Sequence, residues 1–354
     1  MTQLTLFLVT LSTLLGAALS PHDIWGSSQG DQHTVAVTRI TSDQLEQMLG
    51  SLRGKPDGTV ARQLSTLELT ERLSMARIAR CRAVLPGPQA RQAFMLLVDQ
   101  SSFLDPPAED IPYIEKPDIE AQRQIASLMV HYVKQTVSQL PNLFATRTTL
   151  SFEKDLSSDG PLHSMGTFSS IVLYRDGEEE LRSSMFHSGE KKRHPDLFLS
   201  QVQGLTTSGE FGTILITAIL DAAHGDMFWS RWERGASGPE AVFHYAITAE
   251  YSHYKVNEKA TGYRGEIAVD PATGTITRLV LQSNPQLGDT LTRADMVVEY
   301  GPVELGGKTY ICPVRSVALS VAGLTSEWIN DVVFDQYHLY RADSRILPGF
   351  SAVP

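Results

Sequence analysis

The stretch DIEAQRQIASLMVHYVKQTVSQL (118–140) followed by PNLFATRTTLSFE (141–153) decides the fold. Across 118–140, Ile125, Leu128, Met129, Tyr132, Val133, Val137 and Leu140 return at the 3.6-residue period of an amphipathic helix. After Pro141 the period falls to 2, the alternation of a half-buried strand. A long helix therefore enters a sheet directly, and its apolar stripe is the natural cover for one face of that sheet.

Downstream, alternation predicts strands over 146–153, 168–174, 179–186, 242–256, 263–269, 275–282, 292–300, 308–320 and 327–340. Asp176-Gly177 and the run from Asp270 to Gly274 sit between paired runs and predict hairpin turns. In 263–269, Tyr263, Ile267 and Val269 share one face and Arg264 and Glu266 the other, which predicts a strand with one wet side. The apolar parity of 242–256 shifts between Tyr251 and Tyr254, the sign of a bulge or bend. One helix interrupts the strands: Ser208 is its candidate cap, Phe211, Ile214, Leu215, Ala218 and Ile219 its stripe, and Gly225 its end. The segment 211–232 then reads as a flap over the sheet, outside the ladder.

Upstream the texture is helical. Thr41 and Gln44 form a candidate capping box for a short helix closed by Gly54. Pro56-Asp57-Gly58 reads as a turn, 60–84 as a helix stopped by Leu85-Pro86-Gly87, and 89–104 as a helix with Ala90, Phe94, Leu97, Val98, Ser101 and Leu104 inward. The fold class is α+β: a helical segment, then a large curved antiparallel sheet with a long helix on its concave face. The division expected is a signal peptide over 1–20, a flexible stretch over 21–38, a helical segment over 39–116, the helix-plus-sheet unit over 117–347 and a tail over 348–354. The signal reading rests on LTLFLVTLSTLLGAAL (4–19), uncharged, ending in small residues, and shorter than the ~20 residues a membrane span needs. It places the protein outside the cytoplasm, in periplasm or medium, and not as an integral membrane protein.

Forty acidic against thirty basic residues, a net charge of −10 over 354 residues, exclude a phosphate-driven nucleic-acid partner. There is no GxSxG, P-loop, GxGxxG after a strand, or HExxH. Ser151–Lys154 and Ser252–Lys255 fit S-x-x-K but fall in predicted strands. His187 and His194 flank a charged loop without a third metal ligand, and His244 and His253 have opposite parities on one predicted strand. Arg77, Arg80 and Arg82 read as a solvated helix face. Cys81 and Cys312 are either a disulfide or two buried thiols. No cofactor or metal site is expected.

The motifs LELTERLS (67–74), LPGPQAR (85–91), SSFLDPP (101–107) and QLPNLFATRTTLSF (139–152) resemble a group of secreted bacterial proteins of unknown function. YRGEIAVDPATGTITRL (263–279), YGPVELGGKTYICPV (300–314) and FDQYHLYRADSRIL (334–347) extend the resemblance. The β portion is similar to the outer-membrane lipoprotein-sorting superfamily, on its helix-then-strands order and its strand–DPATG–strand hairpin. That resemblance implies a half-barrel holding a lipid, an acyl chain or a lipidated envelope partner, although fold does not fix function.

Three roles follow. The first is an exported, non-enzymatic protein binding an apolar ligand or lipidated partner, with Phe211, Leu215, Phe228, Trp229 and Trp232 as the candidate groove. The second is a structural or interaction protein of the envelope, in which the same aromatics are core. The third is a hydrolase whose residues assemble from distant loops.

Overall fold

The structure is a computed structural model; it describes residues 10–11, 37–157, 162–188, 191–193, 205–285, 291–323 and 325–340. The predicted signal peptide and flexible stretch, apart from 10–11 and 37–38, lie outside the described residues, as do the tail over 348–354 and His194.

The period change at Pro141 is where helix gives way to sheet. Among the described residues six α-helices occur: α1 Ser42–Ser51, α2 Asp57–Leu64, α3 Met75–Val84, α4 Pro88–Ser101, α5 Ile119–Gln139 and α6 Thr213–Ala222. Eleven strands form one antiparallel sheet: β1 Leu143–Asp155, β2 His163–Arg175, β3 Glu178–Ser188, β4 Lys191–Arg193, β5 Asp226–Arg234, β6 Pro239–Ile247, β7 Gly262–Val269, β8 Ile276–Asn284, β9 Leu291–Leu305, β10 Lys308–Ala322 and β11 Ser326–Leu339. Their spatial order is β4-β3-β2-β1-β11-β10-β9-β8-β7-β6-β5. Two meanders are thus joined where the first strand pairs with the last, Asn330 opposite Ser151. The sheet is curved and unclosed, a half-barrel.

Its concave, inner face is apolar. Ile125, Met129 and Val133 of α5 pack there with Ile214, Leu215, Ala218 and Ile219 of α6, onto Phe243, Tyr263, Ile267, Leu279, Met296 and Val298. The Asp270–Gly274 hairpin touches the back of α5. A Cβ at Gly274, whose φ is +75°, would lie 2.4 Å from the Leu128 carbonyl oxygen, so only glycine fits that approach. Met129→Ala is expected to cost about 2–5 kcal/mol, against about 0.5 kcal/mol or less for exposed Lys134→Ala. Chemical denaturation of the two variants measures the difference.

The helical segment covers part of the other face. Its own core gathers Leu45, Leu49, Val60, Leu64, Phe94 and Leu97, while Leu96 and Phe103 pack on Phe152, Val317, Leu319 and Ile329 of the sheet. The Thr41 capping box forms as read, Thr41 Oγ1 accepting from the Gln44 N–H and Gln44 Oε1 from the Thr41 N–H.

Several expectations are corrected. Pro56-Asp57-Gly58 opens α2 instead of turning; Asp57 is used instead to cap α4, accepting from the N–H groups of Gln89 and Ala90. The run 60–84 is not one helix, because Leu67–Leu69 pairs in parallel with Thr38–Ile40 and separates α2 from α3. Leu104 lies beyond α4 and is exposed. The strand predicted over 242–256 ends at Ile247; the parity shift between Tyr251 and Tyr254 falls in the turn beyond it, Lys255–Val256 pairs with Lys259–Ala260, and the register shift within the strand lies at Val242/Phe243. Cys81 and Cys312 are separate buried thiols, with burial pushing them up to about 11 and about 12.

Candidate ligand-binding site

The helix predicted to interrupt the strands is α6, and it lies on the inner face beside α5. Its middle is apolar almost all round: Ile214, Leu215, Ala218 and Ile219 are buried, and Leu220 is exposed. Gly212, with φ of +148°, turns the chain into the helix in a conformation that side-chain-bearing residues avoid. Ser208 makes no cap.

Both ends of α6 are held by carboxylates. At the N-terminal end Glu179 of β3 accepts the backbone N–H of Gly209 at 2.9 Å and of Phe211 at 2.8 Å. Burial first, and then the neighbouring Glu210 carboxylate, push Glu179 up to about 8, against the two amide hydrogens and Arg147. Arg147 of β1 donates from Nη1 to the Thr207 carbonyl at 3.0 Å and from Nη2 to Thr207 Oγ1 at 3.2 Å. Thr207 Oγ1 in turn donates to Glu210. These groups line a narrow cleft whose other walls include Val172, Leu181 and Phe334. Each Glu179 oxygen already accepts an amide hydrogen, so the carboxyl fixes the loop rather than offering a free base.

Because Glu179 titrates higher in the folded chain than its ordinary 4.5, it favours folding most below about pH 4.5. That contribution is lost as pH rises through about 8. Melting temperature is expected to fall across this window, and Glu179→Gln to flatten the fall; an unchanged slope would contradict the assignment.

At the other end, Asp221 of α6 is fully buried and accepts the His253 backbone N–H at 2.9 Å and the Tyr263 hydroxyl at 2.7 Å. The His253 ring approaches it through Nδ1 at 2.5 Å, leaving the outer edge of an exposed imidazole in solvent.

The groove residues named from sequence are only partly brought together. The segment 226–234 is not a flap but the edge strand β5, paired with β6. Phe243 faces Trp229 and Ala241 faces Trp232, with a register shift between, so Ser230 is the extra residue of a bulge. That bulge puts both tryptophans on the inner face, their rings 4.9 Å apart and edge-to-face. Trp229 is buried in the same cluster as Leu215; Trp232 is half-buried and donates from Nε1 to the Glu115 carbonyl. Phe228 faces away and is exposed, its ring near His244. Phe211 belongs to another cluster, stacked on Tyr174 and edge-on to Phe334.

Sequence reasoning missed the polar clasp on the outer face. Arg264 is exposed as expected, but Glu266 on the same face is not. It and Glu233 are buried among Arg72, Arg231 and Arg278, with Arg72 reaching over from the helical segment to Glu233 at 2.8 Å. Arg315 likewise joins Asp99 of α4 to Asp331 of β11. Arg77 is not solvated either; it is buried between Asp43 and Asp110. The signal was present as arginines within the helical segment, but their partners are far along the chain.

No family model matches the chain, and no curated protein matches it. Among the solved structures similar to part of it are two of named families. One is an outer membrane lipoprotein-sorting protein domain from Vibrio parahaemolyticus, 9% identical, covering 63% of this chain and 95% of that one, with a TM-score of 0.33. The other is a DUF1329 family protein from Desulfovibrio piger, 10% identical, covering 63% and 94%, with a TM-score of 0.29. Among the described residues no helix is long and apolar enough to cross a membrane.

Proposed function

We propose that this chain is an exported, non-enzymatic binding protein that holds an apolar ligand, or the acyl chain of a lipidated partner, on the inner face of its half-barrel beneath α6. The observation that carries this reading is α6 itself. Beside the long α5, a short apolar helix rather than a second sheet covers the inner face, and polar bonds hold it mainly at its two ends. Releasing those ends would open apolar surface lined by Met129, Val133, Leu215, Trp229 and Phe243. The export step rests on the uncharged run at 4–19.

A second reading, a structural or interaction protein of the envelope, is favoured by the burial of Trp229 in a filled core. Titrating the protein with dodecanoic acid below its critical micelle concentration separates the two. Under the binding reading tryptophan emission shifts to the blue and saturates, since Trp232 is half-buried and free to lose solvent. An emission spectrum that does not move at any concentration supports the structural reading.

A further inference from the structure

The loop that leads into α6 folds around two carboxyl groups set against one cation. Glu179 of β3 takes the N–H groups of Gly209 and Phe211, the two residues that flank Glu210. The Glu210 side chain lines the same cleft, is buried, and accepts the Thr207 hydroxyl. The cation on the cleft wall is Arg147, 3.8 Å from Glu210 and bonded through its terminal nitrogens to Thr207. Among the described residues the other titratable groups packed here add no positive charge. Tyr174 of β2, Tyr300 of β9 and Tyr337 of β11 lie within reach of the Glu179 charge, and Cys312 of β10 packs in the cluster of Tyr174 and Tyr337. Burial pushes all four up, so they are uncharged at neutral pH. Glu180, also on the cleft wall, is acidic and exposed. Two carboxylates against one guanidinium would leave an uncompensated negative charge in a site largely closed to water, so the pair retains one proton. Gly209 and Gly212, with φ of +96° and +148°, bound the piece of loop that carries Glu210 and Phe211, and glycine lets the backbone turn there without strain.

We propose that loop 207–212 is a proton-operated latch on α6. With one proton held between Glu179 and Glu210, the loop stays bonded to β1 and β3 and keeps the helix over the inner face. Loss of that proton sets a second negative charge beside Arg147, and the loop swings away at Gly209 and Gly212, freeing the start of α6. This rests on the binding reading above and adds its regulation: the apolar ligand enters when the latch loses its proton. The closed loop holds the proton more tightly than an open one, since Glu179 titrates at about 8 when enclosed and at its ordinary 4.5 in water. Closing is therefore favoured in acid, and opening increases as pH rises from about 4.5 and levels off above about 8.

The test is amide hydrogen exchange of the ligand-free full chain at about pH 5.5 and about pH 7.5, each rate divided by that of the same peptide unstructured. Protection over 209–216 is expected to fall at least about tenfold between the two, while α2 and α4 keep theirs. Glu179→Gln, which stays uncharged, is expected to hold its protection at both pH values. Glu210→Gln leaves Arg147 free to pair with an ionised Glu179 and is expected to do the same; it serves if the first variant does not fold. A merely structural bond would instead lower protection in the variants equally at both pH values. The rate of the tryptophan emission change on mixing with 1-monododecanoyl glycerol, a probe without charge, is expected to rise at least about tenfold over the same interval in the intact chain and to stay level in the variants. Protection that is flat in the intact chain, or that falls as steeply in both variants, would overturn the latch and leave the binding reading standing. Protection that falls as expected, with emission unmoved at every pH, would overturn the binding reading and leave the latch.

Discussion

Glu233→Ala is expected to destabilise the protein by about 3–5 kcal/mol, the usual cost of removing one partner from a buried ionic group. Glu233 sits on β5 between Arg72 at 2.8 Å, Arg231 at 2.6 Å and Arg278 at 3.1 Å, all at least four-fifths buried. Without it, Arg231 and Arg278 keep Glu266 as a buried counter-ion, while the ion pair that Arg72 makes across to the sheet is lost. Burial opposes the Glu233 charge, but Arg278, Arg72 and Arg231 together outweigh it and hold the carboxyl down at about 2. The sign follows from that direction. This stabilisation is present above the ordinary 4.5 and is lost as pH falls through about 2. Glu68→Ala, which breaks the exposed pair with Arg39, is expected to cost well under about 1 kcal/mol. Urea unfolding at neutral pH compares the two, and equal small losses would show that the clasp does not join the helical segment to the sheet.

Trp229→Ala carries the second large effect, about 3–5 kcal/mol. Its ring is buried edge-on against both Trp232 and Phe243, with centroid distances of 4.9 and 5.6 Å, under α6. Phe228→Ala, one residue earlier on the exposed face, is expected to stay within about 0.5 kcal/mol. Denaturation midpoints for both variants decide the matter. Comparable losses at the two positions would mean that β5 does not alternate as described.

What the chain order makes legible is local. The α5 stripe, the Thr41 capping box and the Asp176-Gly177 and Asp270–Gly274 hairpins each depend on neighbours a few residues apart, and each forms. The errors have physical causes. Residues 60–84 contain no Gly or Pro to break a helix, yet Leu67–Leu69 gains a parallel partner at Thr38–Ile40 that no local pattern announces. In 226–234 the bulge at Ser230 destroys the period-2 signature, so two tryptophans on one face look unlike a strand. The candidate site is less legible still. Arg147, Glu179 and Glu210 come from β1, β3 and the loop before α6, and no spacing connects them. Arg72 meets Glu233 across 161 positions, which makes a buried clasp look like scattered surface charge.

The most direct test of a ligand site beneath α6 is amide hydrogen exchange on the intact protein with and without saturating 1-monododecanoyl glycerol. The expected result is a change in exchange across 213–222 and in the facing part of α5, with α2 and α4 unaffected. Exchange that is unchanged over α6, or altered only around exposed Tyr113 and Phe228, would contradict it.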